Sequence, residues 1–262
     1  MTTNDYAEPA AALANGVMPL LGFGTWQISM REVTQATADA LEAGYRHIDT
    51  ATMYRNEEGI GKALDSADPA RESVFVTTKL PPQHASRERR TLEESLTKLR
   101  LDHVDLWLVH WPPNGQAAPH VWEQLVKAQQ DGLARAIGVS NYSLGQIDEL
   151  IKVTGVTPQV NQIRWGPSLY DTDMVLGLEK RGVVLEGYSP FKVSNLRDPT
   201  LVSIAGQHDA TTAQLIVAWH IAHGFVVIPK SVRRERIVAN AAGARIELTA
   251  DEVAAIDGLS RS

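Results

Sequence analysis

Val74-Phe75-Val76-Thr77-Thr78-Lys79 is an apolar, β-branched run that ends on a charge, and Val104-Asp105-Leu106-Trp107-Leu108-Val109-His110 repeats the form 30 residues later. Between the two, residues 87–99 carry apolar positions at helical spacing. A strand, a helix and a strand in that span form a β/α/β unit, because parallel neighbours need a crossover of this length. Working outward, similar runs occupy residues 18–24, 46–49, 134–140, 159–163, 183–188 and 225–229, which makes eight strand candidates, most with centres about 20 to 30 residues apart. Helical patterns over 30–43, 57–66, 121–131, 144–154, 173–181, 201–208 and 212–223 lie between most of them. Gly44, Gly132, Gly155, Gly182 and Gly224 each precede a strand, where a left-handed helix stop is easily made. Eight strands alternating with helices in 262 residues fit a single closed (β/α)8 barrel of the α/β class, one domain over 1–262, better than an open doubly wound sheet. Residues 7–16 read either as a disordered arm or as a short hairpin across the barrel bottom.

Composition narrows the function classes. With 44% hydrophobic and 21% charged residues the chain has material for a sizeable core and lies far from the disordered class. A net charge of -6 argues against nucleic acid as the main partner. The absence of cysteine excludes disulfides, thiolate metal sites and a cysteine nucleophile, and it suits a cytoplasmic enzyme. Residues 1–16 have neither the basic residue nor the apolar run of a secretory leader, and no stretch is long enough to span a membrane. Gly22-Phe23-Gly24-Thr25-Trp26-Gln27 lacks the third glycine of the dinucleotide-binding fingerprint, and the Walker and H-E-x-x-H patterns are absent.

In a barrel of this kind, polar residues at the C-terminal strand ends face the site. That rule selects Asp49, Lys79 and His110, with Tyr54 in the loop just after Asp49. Taken singly, each has an ordinary structural reading as a cap, a rim lysine, a core histidine or a loop aromatic. Together they form a proton-donating set. A phenol is a poor acid near neutrality unless a cation stabilises its phenolate. Lys79 supplies the cation, Asp49 holds the ammonium, and His110 orients a carbonyl oxygen.

These residues lie within motifs that run through nearly the whole chain: Gly22-Phe23-Gly24-Thr25-Trp26, Gly44-Tyr45-Arg46-His47-Ile48-Asp49-Thr50-Ala51, Lys79-Leu80, His110-Trp111-Pro112, Gly138-Val139-Ser140-Asn141, Asn161-Gln162 and Ile228-Pro229-Lys230-Ser231. The sequence resembles the aldo-keto reductase superfamily, in the form of a short prokaryotic-type member. The resemblance implies a (β/α)8 barrel and reduction of aldehydes or ketones with NADPH. It also implies a catalytic tetrad of Asp49, Tyr54, Lys79 and His110, an extended cofactor and no metal. By the same resemblance Ser140, Asn141, Gln162, Tyr188 and Ser189 contact the cofactor, Tyr188 by stacking on the nicotinamide. Lys230, Ser231 and Arg236 fall at the adenosine 2′-phosphate, with Val232, Arg233 and Asn240 completing the adenosine site. The crowding of Lys230, Arg233, Arg234 and Arg236 in an acidic chain agrees with a phosphate site after the last strand. Trp26 and Trp111 are expected to wall the substrate pocket.

The resemblance has gaps. Its usual Asn-Gln-x-Glu-x-His-Pro run appears as Asn161-Gln162-Ile163-Arg164-Trp165-Gly166-Pro167, so it does not fix the local loop. Ala239 stands where many members carry a Glu against adenine, which predicts weaker adenosine contacts. The last residues, Gly258-Leu259-Ser260-Arg261-Ser262, leave no long loop over the mouth, which predicts an open pocket of broad specificity. The partner expected is a small carbonyl compound, and the protein is expected to work as a monomer. Two other functions compete: an aldolase-like lyase using Lys79 as a Schiff-base amine, and a regulatory protein that binds the nucleotide without turnover.

Overall fold

The computed structural model describes residues 9–67 and 70–261. The leader expectation therefore rests partly on residues 1–8, outside the described residues, as do the first two residues of the expected arm. Its remainder forms a hairpin: β1 (Ala10–Leu13) pairs antiparallel with β2 (Gly16–Pro19). The hairpin is tied to the N-terminal ends of later strands, with Ala14 N–H donating to Gln159 Oε1 at 3.1 Å and Asn15 Nδ2 to the Arg135 carbonyl at 3.2 Å.

Eight parallel strands follow in sequential order: β3 (Phe23–Gly24), β4 (His47–Asp49), β5 (Phe75–Leu80), β6 (Val104–Val109), β7 (Ala134–Ser140), β8 (Val160–Arg164), β9 (Val184–Tyr188) and β10 (Val226–Ile228). A parallel bridge between Leu21 and Val227 joins the first of these to the last and closes the barrel. Single helices cross between successive strands from β3 to β9: α1 (Val33–Glu42), α2 (Glu57–Asp65), α3 (Glu88–Leu99), α4 (Pro119–Gln130), α5 (Leu144–Thr154) and α6 (Thr172–Lys180). Two, α7 (Pro199–Gln207) and α8 (Thr212–Ala222), lie between β9 and β10, and α9 (Arg234–Gly243) and α10 (Ala250–Asp257) end the chain. All five glycines expected at helix stops have positive φ, from +67° at Gly182 to +100° at Gly44. Among the described residues, no helix is long and apolar enough to cross a membrane.

The run 18–24 is not one strand. Its first half belongs to the hairpin, and the chain joins the barrel only where the Leu20 carbonyl accepts from Val227 N–H at 2.7 Å and Gly22 N–H donates to the Val227 carbonyl. Met18 and Leu20 then plug the barrel floor, packing with Leu106, Leu108, Ala136, Val160 and Val226 inside it. A larger apolar layer lies between the strands and the helices. Near the floor, buried Asp105 accepts from Arg71, Arg135 and the Val76 N–H at 2.8–3.0 Å, so the acid within the apolar run 104–110 is a structural clasp.

The departure at 164–167 has a packing role. Arg164 ends β8 exposed, and Trp165 turns into the outer layer, 3% exposed, with its ring 6.1 Å from those of Tyr170 and Phe225. Aromatic burial of this kind fixes the loop. Trp165→Ala is expected to cost about 3–5 kcal/mol through the cavity left behind, read as a lower urea midpoint with the m-value unchanged.

Candidate active site

The C-terminal strand ends converge as the spacing predicted. Register sets Gly24 beside Asp49 and Asp49 beside Thr77, while His110 N–H donates to the Leu80 carbonyl at 2.9 Å. Tyr54 ends a single 3-10 turn, Thr52–Tyr54, which is moored by Thr52 Oγ1 donating to the Lys79 carbonyl at 3.0 Å.

Lys79 is fully buried, and three acceptors surround its ammonium. Nζ donates to Asp49 Oδ1 at 2.7 Å, to the Thr50 carbonyl at 2.8 Å and to Tyr54 Oη at 3.4 Å. The second carboxylate oxygen of Asp49 accepts from Gln162 Nε2 at 2.8 Å. This satisfies the buried ion pair, as it must, since an uncompensated charge here is strongly unfavourable. Burial alone lowers the Lys79 pKa, but Asp49 and Tyr54 outweigh it and push it up to about 12. An ammonium engaged by three acceptors and raised in pKa is poorly placed to attack a carbonyl, which argues against the Schiff-base alternative.

The Tyr54 phenol departs from expectation in one respect. Lys79 pulls its pKa down, yet burial pushes harder and the net value rises to about 12. The hydroxyl is thus a proton carrier throughout the neutral range. Lys79 is the cation nearest that oxygen, and it lowers the cost of a phenolate there without bringing the resting value toward neutrality. His110 packs edge-on against the Tyr54 ring with centroids 5.7 Å apart. Burial, and then the Lys79 charge, lower its pKa to about 3, so it is a neutral imidazole with one N–H to donate.

A cavity of about 680 Å³ opens over these groups. Asp49, Tyr54 and His110 reach it, whereas Lys79 acts from behind them. Trp26 and Trp111 stand at its wall about half exposed, joined by Met53. Ser140, Asn141, Gln162, Tyr188 and Ser189 also line it. They are bonded largely to one another: Tyr188 Oη donates to Asn141 Oδ1 at 2.9 Å, Asn141 Nδ2 to Ser140 Oγ at 2.9 Å, and Ser140 Oγ to the Gln162 carbonyl at 2.8 Å. The sequence reading missed Lys192, whose Nζ lies 4.4 Å over the Trp26 ring and donates to Gln27 Oε1 at 3.2 Å. Its place two residues after Pro190, in a strand-end motif, was the available signal.

The basic cluster divides in two. Arg234 is bound to α1, donating to Asp39 Oδ1 at 2.9 Å and Glu42 Oε2 at 2.7 Å. Lys230, at the cavity edge, and the exposed Arg233 and Arg236 have no side-chain partner among the described residues. Ser231 Oγ accepts from Arg233 N–H at 3.0 Å and shapes the turn into α9, on which Asn240 is buried. Val232, like Arg233 and Arg236, lies beyond the cavity lining. Three unpaired cations beside a buried amide fit a phosphorylated nucleotide.

A barrel whose mouth aims a phenol, backed by an ammonium and flanked by a neutral imidazole, into an apolar cavity near a cluster of unpaired cations has the site of a carbonyl-reducing oxidoreductase. The family model described as "Aldo/keto reductase family" matches residues 20–261. Methylglyoxal reductase DkgA of Salmonella typhimurium is 41% identical over 249 residues, 94% of this chain and 90% of that protein. The crystal structure of an aldo/keto reductase from Brucella melitensis superposes with a TM-score of 0.92 at 40% identity, covering 97% of this chain and 98% of that one. That of a Bombyx mori aldo-keto reductase in complex with NADP does so at 0.89 and 34%, covering 97% and 93%. The chain belongs to the aldo/keto reductase family, and it is an NADP-dependent oxidoreductase that converts aldehydes and ketones to alcohols.

Proposed function

We propose that this protein reduces small carbonyl compounds, α-dicarbonyls foremost, with Tyr54 as the proton donor. The observation that carries the reading is the Tyr54–Lys79–Asp49–Gln162 chain of hydrogen bonds at the floor of the cavity. When bound, NADPH supplies the hydride. Tyr54 gives its proton to the carbonyl oxygen, and Lys79 stabilises the phenolate left behind. Asp49 holds Lys79 in register, and His110 donates to the same carbonyl oxygen and so orients it. Ser140, Asn141, Gln162, Tyr188 and Ser189 form the nicotinamide side, while Lys230, Ser231, Val232, Arg233, Arg236 and Asn240 hold the phosphorylated adenosine. Trp26 and Trp111 wall the substrate. The dicarbonyl preference is supported by the methylglyoxal reductase relative, while the aromatic wall of Trp26 and Trp111 suits apolar or aromatic carbonyls as well. The reading takes the protein as a monomer of one barrel domain, in keeping with a site whose groups all come from one chain, and places it in the cytoplasm, in keeping with a chain that has no cysteine.

The test is NADPH oxidation over a panel of aldehydes, ketones and dicarbonyls, repeated with NADH. Turnover should be fastest with methylglyoxal-like substrates, and NADPH binding without turnover on the whole panel would instead favour a regulatory role. Arg236→Ala should raise KM for NADPH about tenfold or more while leaving KM for NADH nearly unchanged, since a charge-assisted contact to the 2′-phosphate contributes about 1.5–3 kcal/mol. Equal efficiency with the two cofactors in the native protein would overturn the phosphate assignment.

A further inference from the structure

Beneath the site lies a carboxyl that the mechanism above leaves unused. Glu186, on β9, points into the barrel and is fully buried, and neither of its carboxyl oxygens has a hydrogen-bond partner among the described residues. His47 Nε2 lies 3.8 Å from Oε1, and that ring nitrogen is already in contact with Thr77 Oγ1 at 3.1 Å. Side chains two residues apart on a strand share a face, so His47 and Thr77 form a layer directly below Asp49 and Lys79. Glu186 belongs with them, paired in register with Gln162 of β8 and Val226 of β10. The charged or titratable groups facing it are His47 and Asp49 from β4, Lys79 from β5 and Tyr54 above. β8 offers only the neutral Gln162, and β10 offers apolar residues.

Two carboxyls thus share one ammonium. Asp49 is held by Lys79 at 2.7 Å and by Gln162 at 2.8 Å, whereas Glu186 has no donor within hydrogen-bond geometry among the described residues and only the weaker influence of the same Gln162, so the proton that the pair retains rests on Glu186. We propose that Glu186 is a positioning residue for carbonyl reduction: it stays protonated during turnover, leaving Asp49 as the only anion beside Lys79, and its ionisation turns the reaction down. The reason is electrostatic. Proton donation leaves a phenolate on Tyr54, and a second buried anion opposes that phenolate, as Asp49 and Glu186 both push the Tyr54 pKa upward.

Burial raises Asp49 as well, opposed by Lys79 and Gln162, and four further groups stay out of the range of this titration. His47 and His110 are lowered to about 3, and Lys79 and Tyr54 are raised to about 12. Burial, reinforced by the Asp49 charge and offset in part by Gln162 and Lys79, raises Glu186 to about 8. A group that must be protonated supports activity below its pKa and loses it above.

The inference rests on Tyr54 being the proton donor, so the experiment separates the two. kcat at saturating NADPH is measured from pH 6 to pH 10 for the native protein, Glu186→Gln, Glu186→Asp and Tyr54→Phe, each profile scaled to its own plateau. The native rate should fall about tenfold between pH 7 and pH 9, as one proton leaves near pH 8. Glu186→Gln should fall less than about twofold over that span, and Glu186→Asp should keep a limb at a displaced pH. The same limb in Glu186→Gln and the native protein overturns the inference alone, whereas full activity in Tyr54→Phe overturns the reading it rests on. If Glu186→Gln does not fold, infrared difference spectra of the native protein decide. A protonated-carboxyl stretch present at pH 6 and lost by pH 10 is expected, and its absence at pH 6 overturns the assignment.

Discussion

Tyr54→Phe is expected to lower kcat by about 10²- to 10⁴-fold, the range for loss of a general acid, while the dissociation constant for NADPH changes less than about twofold. The substitution removes one oxygen. The ring remains against His110, and the 3-10 turn that carries it is held by backbone bonds and by Thr52, neither of which involves the phenol. Lys79 loses only its longest contact, at 3.4 Å, and keeps those at 2.7 Å and 2.8 Å. Stopped-flow reduction of a good substrate together with fluorescence titration of NADPH would measure both quantities. A variant that binds NADPH normally and turns over at the native rate would remove Tyr54 from the chemistry.

Lys79→Met should both abolish turnover and cost about 3–5 kcal/mol of stability, the penalty for breaking a buried ion pair on one side. Asp49 is 1% exposed and Lys79 fully buried, so water cannot replace the lost ammonium. The remaining carboxylate would then lie over Glu186 with no cation between them, and two buried carboxyls without a counter-ion cannot both ionise. Pairing the substitution with Asp49→Asn should recover much of the stability and none of the activity, because a neutral amide opposite a thioether leaves no charge stranded. Urea unfolding of the two single variants and the double variant forms the cycle. Additive losses in the double variant would mean that the pair contributes nothing beyond its separate packing.

The parts of this molecule that were legible in the sequence are those where chemistry and local conformation coincide. Asp49, Lys79 and His110 stand out because each interrupts or closes an apolar run, and the strand-end rule then turns three interruptions into one site. The helix stops were legible for a similar local reason, since glycine is the residue that most readily takes the left-handed turn at a helix end; α3 escaped that rule by stopping at Arg100, with φ at +59°. The fate of residues 18–24 was not, because Met18 and Leu20 are equally apolar whether they line a barrel strand or plug its floor, and only the Leu20–Val227 contact settles it. Helix α9 lay hidden beneath its own charges: its first turn reads as a basic patch, although Ile237, Asn240 and Gly243 give it a buried stripe. Glu186 is silent in sequence, one polar residue between Leu185 and Gly187, until barrel closure sets His47 and Asp49 from the far side of the chain beside it. The pull of Lys79 on the Tyr54 pKa was legible, but its net rise was not, because burial cannot be weighed against a cation before the depth of the cavity is known.

The Lys192 contact across the mouth has a kinetic meaning. A cation over an indole at a half-open site contributes about 0.5–1 kcal/mol, and a bond to a neutral amide adds about 1 kcal/mol. These two interactions together favour the fastened state by about thirtyfold at most, since 1.4 kcal/mol is a factor of ten. The segment that follows β9 is therefore fastened to Trp26 and Gln27 only weakly. A tie of that size biases the rim of the cavity toward one arrangement without sealing it, and thermal motion alone is enough to undo it.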